Sequence, residues 1–195
     1  MNKMYFVATK LAKIGGVCFY LSNMATKKTI YLARHAKSSW GSSASADFER
    51  PLSNRGIADA VLIGDELMRL GWKPEKIISS PAIRAKQTCQ TLCGKLGFSF
   101  ENVVWNKDIY AAYTVTLLQI LSDLPESTKS VMLIGHNPAM EELLAHFCDD
   151  ANDYRQKNGK LFTTGNIAKI TTESNWKDLT MCEAMLERIV RPKAP

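Results

Sequence analysis

The chain has 195 residues, 46% of them apolar, and a formal net charge of +6. That is enough for one domain with a real core, and a phosphate site plus a solvated basic surface accounts for the charge better than nucleic-acid binding, since no aromatic-rich basic stripe or nucleic-acid motif accompanies it. No apolar run reaches the ~18 residues of a membrane-spanning helix, and nothing repeats at a solenoid or propeller period.

Residues 1–23 are weakly apolar and basic, with Lys3, Lys10 and Lys13 and no acid. A secretory signal has that general shape, but no small-x-small cleavage site follows, and the arginines of an organelle transit peptide are missing. Met24-Ala25-Thr26-Lys27-Lys28 reads as a natural start before the first strand. The expected organisation is a leader over 1–23 outside the fold, one domain over 24–191, and a disordered tail over 192–195.

Within the domain, residues 29–33 read as a short, apolar, central parallel strand. Residues 37–47 are rich in Ser, Ala and Gly without period and read as a surface loop. A helix follows Gly56, with Ile57, Ala60, Val61, Gly64, Leu67 and Met68 at helical spacing and Gly71 as its stop. A second strand covers 76–79, and Pro81 suits the first turn of a helix over 82–96 that stops at Gly97. Residues 102–105 read as a short strand. A helix over 114–124 sets Val115, Leu118 and Leu121 on one side, with Pro125 as breaker. A strand over 130–134 and a helix opened by Pro138 follow. Residues 149–160 are polar and irregular, and 167–171 alternate like a strand. This order predicts a three-layer α/β/α sandwich with a mostly parallel central sheet.

Five cysteines, Cys18, Cys89, Cys93, Cys148 and Cys182, are an odd number without framework spacing. Cys89 and Cys93 share a helix face and read as small buried hydrophobes rather than a metal pair, because no second ligand pair accompanies them. A reducing cytoplasm fits this usage.

Three segments carry chemistry. Ile30-Tyr31-Leu32-Ala33-Arg34-His35-Ala36-Lys37 is an apolar strand ending at an arginine and a histidine. Val131-Met132-Leu133-Ile134-Gly135-His136-Asn137-Pro138 ends at a second histidine. Between them, Ser79-Ser80-Pro81-Ala82-Ile83-Arg84-Ala85-Lys86-Gln87-Thr88 is a strand-to-helix turn bearing another arginine. Open α/β sheets place their chemistry at such strand ends, and guanidinium forks match phosphate oxygens. Each residue alone would read as a satisfied core histidine or a surface ion pair. Together they make a phosphate-handling site.

These segments, in this order, resemble the histidine phosphatase superfamily, also called the phosphoglycerate-mutase-like superfamily. Glu49-Arg50-Pro51-Leu52-Ser53-Asn54-Arg55-Gly56 and Phe162-Thr163-Thr164-Gly165-Asn166-Ile167-Ala168 are similar to its small SixA-type phosphohistidine phosphatase branch. The resemblance covers residues 28–172 and implies a phosphoglycerate-mutase-like fold. It also implies a phosphatase with no cofactor or metal, working through a phosphohistidine on His35. Arg34, Arg84 and Arg50 would clamp the phosphoryl oxygens, and His136 would stabilise their charge. Asn137 would lend an amide or serve as a turn residue. Arg55 would cap or pair on its helix, and His146 matches no motif and reads as structural. Thr163, Thr164 and Asn166 would contact substrate or satisfy the entry to the last strand.

Asp108 is the candidate general acid, and a turn residue is the plain alternative. The SixA-type branch works without a strong acid, because an imidazole leaves far more easily than an alkoxide. The implied partner is a phosphohistidine-bearing protein, approached by a monomer with an open pocket, with no nucleic acid or membrane involved. A small-metabolite phosphomonoesterase and a non-catalytic phosphate- or phosphohistidine-binding module are the alternatives.

Overall fold

The computed structural model describes the backbone of residues 10–14, 17–21, 27–40, 46–157, 159–181 and 184–192. Strands β1 (Lys10–Ile14) and β2 (Val17–Leu21) pair antiparallel in a sheet of their own, within the expected leader. The rest of the leader, part of the 37–47 loop and the last three residues of the expected tail lie outside the described residues.

The domain is built on a six-stranded sheet. Its strands are β3 (Lys28–Arg34), β4 (Lys76–Ser79), β5 (Val104–Trp105), β6 (Ser130–Gly135), β7 (Ile167–Thr172) and β8 (Met185–Val190). The spatial order is β5-β4-β6-β3-β7-β8. The four strands β5, β4, β6 and β3 run parallel, whereas β7 pairs antiparallel with both β3 and β8. The sheet is therefore mixed, with an antiparallel edge added to a parallel body. Strand β8 went unread in the sequence.

Four helices cover the two faces: α1 (Asn54–Arg69), α2 (Ile83–Leu96), α3 (Thr114–Ser122) and α4 (Ala139–Phe147). Successive residues of each central strand feed opposite cores, as the two-residue pleat requires. Ile30, Leu32, Val131, Leu133 and Ile170 pack with Leu117, Leu121, Met140 and Leu144 of α3 and α4. Tyr31, Ala33, Met132, Ile134 and Ile167 pack with Ile63, Leu67, Cys89 and Leu92 of α1 and α2. Truncating a fully buried leucine such as Leu133 would cost roughly 2–5 kcal/mol.

Helix α1 shows how the sequence stripe and the packed stripe differ. Its buried face is Gly56, Asp59, Ala60, Ile63, Gly64 and Leu67, while Ile57 and Met68 are exposed. The reason lies at its start. Ser53 caps the helix by accepting from the Gly56 amide, and its own backbone amide donates to the Lys37 carbonyl. A Cβ on Gly56 would sit 2.0 Å from that carbonyl, so only glycine allows the approach that sets the helix's rotation. Arg55 pairs with Asp59 on the same helix. In α3, Leu117 joins Leu118 and Leu121 in the core, and Val115 faces solvent. Gly97, in the left-handed conformation, ends α2 where expected.

At the far end of β3 from the histidine, Lys28 is buried. Its ammonium donates to the carbonyls of Glu126 and Thr128 and lies 3.4 Å from the Glu126 carboxylate. Cys89, Cys93 and Cys148 are buried, and none of the three is in a disulfide. No helix among the described residues is long and apolar enough to cross a membrane.

Candidate active site

Parallel pairing of β3 with β6 puts Arg34 opposite Gly135 in register, so His35 and His136 leave adjacent strand ends together. Their ring centroids are 4.9 Å apart. The His35 amide donates to the Gly135 carbonyl at 3.1 Å. The Ala36 amide donates to Thr88 Oγ1, and Thr88 in turn donates to the Arg84 carbonyl. From the other side, the Gly165 amide donates to the Arg34 and His35 carbonyls, and the Arg34 amide donates to the carbonyl of Asn166. The strand-end loop is thus fixed by backbone bonds on three sides.

His35 is buried, and its Nδ1 lies 2.7 Å from the Ala36 carbonyl oxygen. A carbonyl can only accept, so Nδ1 carries the proton and Nε2 is left as a lone pair. That lone pair receives the Arg84 Nε–H at 3.2 Å. Burial, partly offset by the Ala36 hydrogen bond and reinforced by Arg84, Arg34 and Arg50, pushes the His35 pKa down to about 4. Burial, with His35 and Arg84 beside it, pushes His136 down to about 3. Both rings are neutral near pH 7. His136 Nε2 lies 2.9 Å from Ser80 Oγ, and its buried Nδ1 has no hydrogen-bond partner among the described residues.

The arginines form a wall over this floor. Arg84 is buried at the first turn of α2, with Nη2 donating to the Asp47 carboxylate at 2.8 Å and Nη1 to the Asp47 carbonyl. Arg50 donates to the other Asp47 carboxylate oxygen at 2.7 Å, to Ser38 Oγ and to the Ser39 carbonyl, and its guanidinium stacks 3.8 Å from the Trp40 ring centroid. Tyr110 donates its hydroxyl to Asp47 at 3.0 Å and sets its ring edge-on against that of His136. Burial alone would raise the Asp47 carboxyl, but the bonds from Arg50 and Tyr110 and the charge of Arg84 bring it down to about 2. Arg34 donates to the Phe162 carbonyl at 2.7 Å, and its Nε is buried without a partner among the described residues. Burial lowers its pKa, against the pull of Glu141.

The structure therefore brings together His35, Arg34, Arg84, Arg50 and His136. Asn137 lies beside them, but its amide nitrogen is committed to Glu141 and to the Phe162 carbonyl. Asp108 is exposed in a short 3₁₀ turn, where its backbone amide is capped by the Asn106 side chain. The carboxylate that meets the arginines is Asp47, inside the stretch that reads as featureless loop. Ser80, Thr88 and Tyr110 were also missed. Ser80 and Thr88 lie within the motif segment, and Arg84 and Thr88 at i and i+4 share one face of α2, a spacing that could have flagged Thr88. Asn166 is buried and bonded to Thr163, which serves strand entry. Thr163 and Thr164 line a groove of about 440 Å³ with Arg34, Lys37, Arg155 and Lys160. A second cavity of about 320 Å³ runs from His136 to Tyr113 and Glu142. Among the described residues, no group of three or more His, Cys, Asp or Glu side chains could hold a metal ion. His146 lies against Phe147 on α4, away from the motifs.

The family model of the histidine phosphatase superfamily (branch 1) matches residues 30–107. An uncharacterised chloroplastic protein of Arabidopsis thaliana is 33% identical over 123 residues, 59% of this chain and 56% of that protein. The chain thus spans about half the length of that relative. The phosphohistidine phosphatase SixA of Escherichia coli is 25% identical over 174 residues, 83% of this chain and 99% of the enzyme. A solved structure from Agrobacterium tumefaciens, assigned to the SixA phosphohistidine phosphatases, superposes with a TM-score of 0.71 at 29% identity. It covers 85% of this chain and 99% of its own. Over residues 30–107 the chain is thus similar to the histidine phosphatase superfamily, and along nearly the whole of the Agrobacterium structure it shares the fold of a SixA-type protein.

Proposed function

We propose that the protein is a phosphohistidine phosphatase that works through a covalent phosphoryl group on His35. The observation that carries the reading is the His35 ring itself: Nδ1 held by the Ala36 carbonyl, Nε2 presented as a lone pair, and a pKa well below neutrality. A neutral imidazole in that state is a ready nucleophile at pH 7.

In the first step Nε2 attacks phosphorus and the bond from phosphorus to the substrate imidazole breaks. Arg84 exchanges its hydrogen bond on Nε2 for one on a phosphoryl oxygen. Arg34, whose Nε lacks a partner among the described residues, and Arg50 take other oxygens, so the charge spread over the phosphoryl group is compensated as it moves. In the second step water attacks phosphorus, the bond to His35 Nε2 breaks, and inorganic phosphate leaves.

The acid side of the chemistry favours a phosphoramidate. Asp47 is held ionised by its arginines and has no proton to give at neutral pH, and Asp108 is exposed. A substrate imidazole protonated on its distal nitrogen departs as a neutral ring and needs little help. An alkoxide would need an acid. The substrate class is a histidine-phosphorylated protein.

The test is hydrolysis of a phosphohistidine-containing protein beside a panel of alkyl phosphate monoesters, with His35→Ala as control. Turnover confined to phosphohistidine and lost in His35→Ala is the expected result. Normal hydrolysis by His35→Ala would end the covalent reading, and faster turnover of alkyl esters would replace the substrate class with small phosphomonoesters.

A further inference from the structure

We infer that Ser80 is a positioning residue that fixes the tautomer of His136, so that this ring offers an Nδ1–H to the phosphoryl group. The inference rests on the reading of the site as a phosphoryl-transfer centre.

Ser80 stands just past the end of β4, fully buried, with its amide bonded to the Ile134 carbonyl of β6. That bond brings its hydroxyl under His136, with Oγ 2.9 Å from Nε2. Two arrangements of protons are open to this pair. In one, the hydroxyl donates to Nε2. In the other, Nε2–H donates to the hydroxyl oxygen. The Ala82 amide decides between them, because it already donates to Ser80 Oγ at 3.3 Å. A hydroxyl has one proton and two lone pairs. If Oγ accepted from both Ala82 and His136, its own proton would be left in a dry site with nothing to receive it, a loss comparable to a missing hydrogen bond. Donation to Nε2 satisfies the hydroxyl and Nε2 together and leaves only Nδ1 of His136 without a partner.

The proton of the neutral ring must then sit on Nδ1. That nitrogen is buried, lacks a partner among the described residues, and belongs to a ring 4.9 Å from that of the nucleophile. As an N–H it lacks only an acceptor, which a phosphoryl oxygen supplies. As a bare lone pair it would repel that oxygen. Because His136 is held uncharged, the choice between N–H and lone pair is the whole of its electrostatic contribution.

The two histidines are thereby set as complements. The Ala36 carbonyl accepts from Nδ1 of His35 and leaves a lone pair facing the site. The Ser80 hydroxyl donates to Nε2 of His136 and leaves an N–H facing it. One ring attacks, and the other holds the oxygen of the group attacked.

The experiment is a two-bond ¹H–¹⁵N correlation spectrum of the full chain with ¹⁵N-labelled histidine at pH 7, with His136 assigned by comparison with His136→Gln. Nδ1 in the protonated range and Nε2 in the bare range for His136 is the expected result, and the reverse would overturn the inference. Ser80→Ala should shift the His136 signals toward the other tautomer and lower kcat roughly tenfold or more. Ser80→Thr, which keeps the hydroxyl, should restore both. A folded Ser80→Ala with wild-type spectrum and kcat would also overturn the proposal. If Ser80→Ala fails to fold, the wild-type spectrum decides alone. The spectrum needs no substrate, so a failure here is separate from a failure of the covalent reading, which His35→Ala tests.

Discussion

The floor and the wall of the site are held by different means. His35 and His136 are buried, uncharged and tied to backbone or to a buried hydroxyl at the ends of β3 and β6. Arg84 and Arg50 are charged and tied largely through Asp47, a side chain that is 52% exposed. The groups assigned to bond making in the proposed reaction are bound by interactions that do not change with charge. The groups that would grip a dianion and release it are bound by ion pairs that an incoming anion can replace.

The largest effect that would break this contrast is at the floor. His35→Ala should lower kcat by at least about 10³-fold, because the nucleophile is gone and no neighbour can replace it. Phosphate should still bind, measured by calorimetry. Next comes the arginine that touches both regions. Arg84→Ala should cost about 10²–10³-fold in kcat/KM, and Arg84→Lys should recover only part, since an ammonium cannot donate to His35 and Asp47 in one plane. Full recovery by lysine would mean that charge alone matters in the wall.

The pH profile sharpens the same comparison. Protonation of His35 removes the lone pair that attacks. With its pKa lowered to about 4, roughly 90% of the ring is still reactive at pH 5, against about 3% for an unshifted histidine near 6.5. The acid limb of single-turnover phosphoryl transfer should therefore lie near pH 4, and a limb near 6.5 would show that the floor is open to water. Asp47→Asn gives a smaller effect of opposite sign. With one negative charge taken off the two arginines, inhibition by inorganic phosphate or tungstate should tighten several-fold. Weaker inhibition would show that Asp47 serves chiefly to orient them. The smallest change is Trp40→Ala, which removes an exposed stacking partner of Arg50. It should raise KM no more than about fivefold, as a cation–π contact of ~0.5–1 kcal/mol allows.

The floor was legible in the sequence because it is local. An apolar run stopping at His35 and another stopping at His136 are signals within a few residues, and parallel pairing of such runs brings their ends together. The wall was legible only in part. Arg84 opens a helix after a strand, but Asp47 sits in a stretch without period, and its contacts with Arg84 and Tyr110 span long separations. Ser80 stood inside a segment already singled out, yet its role depends on β6 lying beside β4. The antiparallel direction of β7 was hidden for a similar reason. Among its described residues the stretch from 149 to 166 holds only a short 3₁₀ helix, Asp149–Tyr154, and strand direction depends on how that connection returns. Strand β8 escaped because its burial does not alternate, with Leu186 inside, Glu187 and Arg188 outside, and Ile189 and Val190 inside, opposite a register shift in β7.

Strand β6 lies between β3 and β4 although it follows both in the chain. On a ribosome the nucleophile and Arg84 are made long before the strand that joins them, and pairings at such separation close late. A nascent chain ending before Ser130 carries His35, Arg50 and Arg84 but lacks β6, the strand that joins β3 to β4. In the proposed reaction, competence to take a phosphoryl group is thus deferred until the chain has been synthesised into its last third, and an unfinished copy would hydrolyse nothing.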